Sequence, residues 1–348
     1  MVAEIPHIEV IEEEEIITEN RNGIANKIAL IGAFDTLETN PQMFISLTEA
    51  QEALGTDTSY NGCKILPIIF GSGGVLAVNI TTETEGTRDK TLTTSKLTEA
   101  LAKIKGEDFD MVFVADLLAD EAIVIMNTFL TESMKMQFPA EYIFACNRAN
   151  NAAYLTTAGK TGKYLSGMII QAGVVNGVSY DALSLAAYYA KYVSELPVAN
   201  TMTNRELPGL ESISPEYTFE DGDDGKSLVG AGVTIFKVQN RETGKIVVVN
   251  SEQPDGLDLY VNRGRNYVIK ELTVNPYLGS RNRKKTMEEI EHVLDAIKYR
   301  CINELDILKD IQYNIEKISP KCLEINQVKL VFDGIITTIR IKYRVEVE

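Results

Sequence analysis

Lys27–Phe34 reads KIALIGAF, one lysine followed by seven uncharged residues. So short and apolar a run is a buried strand, and its neighbours decide which sort of sheet holds it. Downstream, Ser46 with Glu49 three residues on has the spacing of a capping box, opening a short helix that Gly55 closes. Val75–Ile80 reads as a second strand, and Leu97, Leu101 and Ile104 recur at helical spacing. Met111–Ala115 (MVFVA) is a strand, Leu118–Met134 a helix and Tyr142–Cys146 another strand. Asp181 caps an amphipathic helix, Ala182–Leu196, that stops at Pro197. Helix and strand in succession predict a βαβ layered domain of the α/β class with a largely parallel sheet.

Beyond this domain the pattern changes. Ala199–Ser214 reads as a loop and Glu220–Gly225 (EDGDDG) as an acidic turn. Gly232–Gln239 and Lys245–Asn250 follow as strands joined through Asn240–Gly244. Thr286 and Glu289 form a second capping box before a helix with apolar Ile290, Leu294, Ile297, Cys301, Leu305 and Leu308. Just upstream stands the densest positive cluster, Arg281-Asn282-Arg283-Lys284-Lys285. Val328–Phe332 is extended, with Asp333-Gly334 as a hairpin turn. At the end Ile339, Ile341, Tyr343, Val345 and Val347 alternate with charged residues, which is the signature of a half-buried strand. This second part is α+β.

The ends are unusual. The first twenty residues hold seven glutamates and no Lys or Arg, yet Ile5, Ile8, Val10, Ile11, Ile16 and Ile17 are strong strand formers. Such a segment buries little against itself and reads as either a disordered tail or a strand awaiting another sheet, and its β-branched content favours the strand. Twenty extended residues reach at most roughly 65–70 Å, far enough for a neighbouring subunit. Both ends suit β-augmentation, although pairing of the two within one chain satisfies the same pattern. The basic cluster reads either as solvated or as a dock for a negative partner surface.

Across 348 residues, 34 Lys+Arg stand against 50 Asp+Glu, a formal charge of −16. That argues against a general nucleic-acid binder. No window approaches the roughly 18 apolar residues of a membrane span, so no membrane insertion is expected. The glutamate-rich start also lacks the form of a secretory signal. Cys63, Cys146, Cys301 and Cys322 are scattered, which predicts a reducing compartment of synthesis and no zinc site.

Motifs for chemistry fall short one by one. Gly71-Ser72-Gly73-Gly74 lacks GxGxxG spacing and reads as a turn. Gly159-Lys160-Thr161 ends like a P-loop, but Tyr154 stands where the first glycine belongs. In EDGDDG, Gly222 falls on a calcium-ligand position. Asp110, Asp116 and Asp120 surround a strand without an assembled base, nucleophile or metal partner. His7 and His292 read as surface residues. No catalytic, cofactor or metal site is expected; the alternative is an α/β enzyme of unknown reaction using Asp116 or the Gly71–Gly74 loop.

Taken in order along nearly the whole length, several segments resemble the contractile-tail sheath proteins, in particular the short sheaths of Gram-positive phages and R-type bacteriocins such as diffocins. They are Lys27–Phe34 followed by Pro41–Gly55, Phe70–Ala77 (FGSGGVLA), Asp108–Asp116 (DFDMVFVAD) and Tyr180–Thr203. Glu206-Leu207-Pro208-Gly209, Gly230–Asn250, Tyr277-Leu278-Gly279 and the alternating terminus complete the set. The resemblance implies a structural, non-enzymatic subunit. Hexameric rings would stack helically around a tail tube and contract to drive it through a cell envelope.

It also implies a division into an N-terminal arm (1–22), an outer α/β domain (23–200), an inner α+β sheath domain (201–334) and a C-terminal strand arm (335–348). Ile5, Ile8, Val10 and Ile11 match one arm, and Ile339, Ile341, Tyr343, Val345 and Val347 the other. Arg281, Arg283, Lys284 and Lys285 match the tube-docking region. The implied partners are further copies, the tube protein, and baseplate and tail terminator proteins. Synthesis in the bacterial cytoplasm and release in a phage tail or bacteriocin particle follow from the same resemblance. A baseplate component of such a particle is the nearest structural alternative.

Overall fold

The computed structural model describes residues 27–333 except 38–39, 136–137, 163–164, 241–243, 254–255, 272–283 and 320–321. The KIALIGAF run forms β1 (Ile28–Gly32), which lies in the middle of a sheet. It pairs in parallel with β3 (Val75–Asn79) on one side and β6 (Met111–Val114) on the other. From β6 the parallel ladder continues through β7 (Glu141–Ala145), β8 (Leu165–Ile169) and β12 (Val233–Thr234). At the opposite edge β2 (Gln42–Phe44) adds antiparallel to β3, giving the order β12-β8-β7-β6-β1-β3-β2. Every residue of β1, β3, β6 and β7 is buried. That is why these strands read as continuous apolar runs and not as alternating ones.

Helices supply the cover: α1 (Leu47–Leu54), α2 (Asn61–Ile69), α3 (Thr94–Lys103), α4 (Asp120–Lys135), α5 (Asn151–Ala158) and α6 (Ala182–Glu195). Helix α2 packs on β1 and on α6, while α6 lies along β7 and β8. The Asp181 cap forms as its position predicts, with the carboxylate accepting from Ser184 N at 2.8 Å. At α1 the expected cap residue, Ser46, is in place but makes no side-chain cap bond. Helix α2 is hidden in the sequence by Pro67 within it. Two small antiparallel pieces stand outside the main sheet: β4 (Thr82–Thr84) with β5 (Thr87–Asp89), and β9 (Ala172–Val175) between β10 (Val178–Tyr180) and β11 (Leu210–Ser214). Strand β11 lies inside the stretch expected to be loop.

Two further elements differ from the sequence reading. The acidic turn leads into α7 (Asp224–Gly230), with Gly225 buried inside it. The expected strand Gly232–Gln239 is two strands, because Gln171 interrupts the ladder. Its side chain is buried, accepts from Phe236 N at 2.7 Å and donates to Phe236 O at 3.1 Å. Upstream of the break lies β12; downstream, β13 (Phe236–Asn240) forms a hairpin with β14 (Lys245–Val248).

Among the described residues there are two hydrophobic cores. The first surrounds the main sheet and continues past residue 200 through Met202, Leu207, Leu228, Phe236 and Val248 as far as Leu259. The second is built from α8 (Leu259–Glu271), α9 (Lys284–Tyr299), a π-helical turn at Arg300–Glu304 and a hairpin of β15 (Asp310–Ser319) and β16 (Cys322–Val331). The two cores meet at α8, and the stretch from 201 to 258 contributes to the first core. Thr286 lies inside α9, which is described from Lys284, and not at a cap. Leu305 and Leu308 fall beyond the helix, although Leu308 stays buried.

Candidate functional site

Strand β15 was invisible at helical spacing, but Ile311, Tyr313 and Ile315 recur every second residue. All three pack on the second core, facing Ile325 and Leu330 of β16. The hairpin runs in register from Asp310↔Val331 to Ser319↔Cys322, with irregularities after Gln312 and Lys317. Among the described residues no third strand joins it. Each ten-residue strand thus carries one row of backbone donors and acceptors outside the ladder, the form of edge that another strand can extend.

Two-stranded sheets are marginal alone, and α9 supplies the support this one needs. Ile290, Leu294, Ile297 and Cys301 face inward, while Glu291, His292, Asp295 and Tyr299 are exposed. Lys298 reaches across to the hairpin, donating to Ile311 O at 2.9 Å and pairing with Asp310 at 2.8 Å. Hydrogen bonding to Lys298 lowers the pKa of Asp310. Tyr313 closes the same seam by donating to Asp295 at 2.5 Å.

A second polar constellation joins α8 to the main sheet and to α6. Arg263 on α8, 7% exposed, donates to Leu196 O at 2.8 Å and Pro197 O at 3.3 Å, so a cation meets the carbonyl end of α6. Its Nε lies 4.0 Å from the carboxylate of Glu141, which is 5% exposed at the start of β7. Burial pushes Glu141 up to about 7, against the partial relief given by Arg263. Further along α8, Lys270 donates to Phe109 O at 2.7 Å and to Asp110 at 2.9 Å. Asp108 completes the group, 3.0 Å from Lys27.

Of the residues singled out in the sequence, Ile5, Ile8, Val10, Ile11, Ile339, Ile341, Tyr343, Val345, Val347, Arg281 and Arg283 lie outside the described residues. Lys284 and Lys285 are the first two residues of α9. Strand β16 and its ladder end at Val331, two residues before Asp333, the last described residue.

No protein-family profile matches the sequence, and no curated protein matches it. Solved structures do. The sheath of the anti-feeding prophage, in its contracted helical state, is 15% identical with a TM-score of 0.68 and covers 99% of each chain. A sheath tail protein from Listeria innocua is 9% identical at a TM-score of 0.65, over 89% of this chain and 92% of that one. One from Desulfitobacterium hafniense is also 9% identical, at 0.63, over 84% and 89%. This chain has the fold of contractile-tail sheath proteins.

Within that sheath fold the sequence's chemical candidates take structural places. Gly71–Gly74 is a turn closed by Gly74 N donating to Gly71 O at 3.1 Å. Asp116 accepts from its neighbour Leu117 N at 2.8 Å. Asp120 ties α4 to α5 by accepting from Lys160, Thr157 and Arg148, and these bonds, Lys160 first, hold it down at about 2. Lys160 therefore serves that carboxylate at the end of α5, whereas a P-loop lysine opens a helix. His292 is exposed on α9. Among the described residues no group of three or more His, Cys, Asp or Glu could hold a metal, and no helix is long and apolar enough to cross a membrane.

Proposed function

We propose that this chain is a structural subunit of a contractile-tail sheath, working by assembly and rearrangement and not by bond chemistry. The observation that carries the reading is end-to-end likeness to a contracted helical sheath, 99% of both chains at a TM-score of 0.68. The open-edged hairpin β15–β16 supplies the physical means. In this reading the strand-forming ends, Ile5–Ile11 and Ile335–Val347, add to the hairpin edges of neighbouring copies. Each inserted strand gains several backbone hydrogen bonds worth a net ~0.5–1.5 kcal/mol apiece, plus apolar burial.

The finer picture follows the same line. Hexameric rings stack helically on a tail tube, which Arg281, Arg283, Lys284 and Lys285 at the entrance to α9 approach. Baseplate and terminator proteins bound the stack, and the particle is a phage tail or a diffocin-like R-type bacteriocin assembled in a bacterial cytoplasm. We place the inner unit from α8 onward instead of from residue 201, because Met202 to Val248 pack in the first core and, Val198 apart, the second core is built from α8 onward. Contraction is then a one-way repacking in which arm bonds persist while weak, salt-sensitive tube contacts are lost.

Deleting residues 335–348 tests this reading. The truncated chain should keep a cooperative thermal transition yet lose the long hollow polymers that the full chain forms in electron micrographs. Polymers of normal length from the truncated chain would falsify the arm assignment.

A further inference from the structure

Helix α8 belongs to both cores. Leu259 is part of the first, and Tyr267 and Val268 part of the second. On its outer side α8 is held by the Arg263 bonds to Leu196 O and Pro197 O and by the Lys270 bonds to Phe109 O and Asp110. On its inner side it seats the last described residues of the chain. A Cβ on Gly264 would come within 2.7 Å of Ile307 Cγ2 and 2.8 Å of Phe332 Cε1, so only a glycine lets the Phe332 ring rest against the helix backbone. One turn earlier, Tyr260 meets the same ring edge to face, with centroids 5.9 Å apart at 80°. The Tyr260 hydroxyl donates to the carbonyl of Asp333, the next residue of the chain. At the far end of the helix Glu271 pairs with Arg300 at 3.3 Å.

A mid-helix glycine weakens a helix relative to alanine, and here the Phe332 seat is what that sacrifice makes room for. Phe332 and Asp333 stand at the root of the C-terminal segment. We propose that Tyr260, Gly264 and Phe332 form an anchor for that root, and that α8 passes tension on the segment into the outer sheet through Arg263 and Lys270. The proposal rests on the sheath reading, since only pairing with another copy would pull on the segment. Under load, the outer unit then follows the arm as one body with α8, because buried contacts at Tyr260 and Arg263 and half-buried ones at Lys270 and Glu271 hold the two ends of the helix.

The test uses polymers of the full chain and of Gly264→Ala, Lys270→Met and Tyr260→Phe, with sedimentation for polymer mass and cryo-electron microscopy for order. The anchor predicts wild-type polymer mass in all three. In the first two it predicts loss of ordered outer-unit density relative to the hairpin lattice. In Tyr260→Phe polymers, amide exchange near residues 329–333 should quicken about fivefold, the loss of one hydrogen bond. Wild-type order together with unchanged exchange overturns the proposal. If Gly264→Ala does not fold, Tyr260→Phe, which removes one oxygen, decides the anchor, and Lys270→Met decides the load path. A wild-type chain that forms no polymer sinks the sheath reading itself, and the anchor with it.

Discussion

At Glu141 the fold holds a carboxylate against its preference. Its pKa stands at about 7, against an ordinary 4.5, chiefly because it is buried. Between those values the folded chain binds a proton that the unfolded chain does not, so this residue's effect is to lower stability as pH rises from 4.5 through 7. Glu141→Gln should remove that slope. Its unfolding free energy at pH 8 should match or exceed wild type, by an amount on the order of 1–3 kcal/mol, and the difference between pH 5 and pH 8 should shrink. An unchanged slope would show that Glu141 is not the group that titrates. Nothing in the sequence announces this site. Glu141 and Arg263 are 122 positions apart and each is flanked by ordinary residues; only the parallel ladder and the return of α8 bring them together. Asp110, one of the three carboxylates around a strand in the sequence, is the partner of Lys270.

At the scale of elements, legibility followed burial. Strands β1, β3, β6 and β7 were plain because both faces are covered, leaving unbroken apolar runs bounded by turns. Helix α6 was plain because Asp181 caps it and Pro197 follows it. Helix α2 was missed because Pro67 argues locally against a helix that tertiary packing nonetheless holds. The break between β12 and β13 depends on Gln171, 65 positions before the residue it bonds. Strand β15 was missed because Cys301, Leu305 and Leu308 prolong the helical spacing into a segment that unwinds through a π turn. The hairpin's dependence on α9 has a direct check. Ile311→Ala removes a buried side chain at the seam and should cost about 2–4 kcal/mol. Hydrogen exchange should rise across 310–331 while β1, β3 and β6 stay protected. Uniform loss of protection through both cores would show that the hairpin is no separate cooperative unit.

For the whole molecule, charge and shape pull in different directions. Sixteen excess negative charges oppose close packing of copies, while strand-forming ends and a hairpin whose edges no described strand covers favour it. Raising salt from 20 to about 200 mM shortens the screening length from roughly 20 Å to under 10 Å, so self-association should speed up with salt. Light-scattering rates that fall with salt would mean that attraction between opposite charges, not repulsion, governs assembly. Docking on a tube should show the opposite dependence, and exchanging Arg283, Lys284 and Lys285 for glutamate should weaken co-assembly with tube protein more than self-assembly. The sheath resemblance was legible as an order of weak segments, and the fold likeness spans the same length at only 15% identity. Layered cores tolerate wide substitution if pattern and volume are kept, which is why the architecture outlasts the residues.

The most direct test is a cryo-electron microscopy reconstruction of the assembled full-length protein, read at β15 and β16. A hairpin extended on its open edges by strands from other copies is the predicted result. A hairpin that stays two-stranded in a working particle, or one completed only by its own chain's ends, contradicts the account.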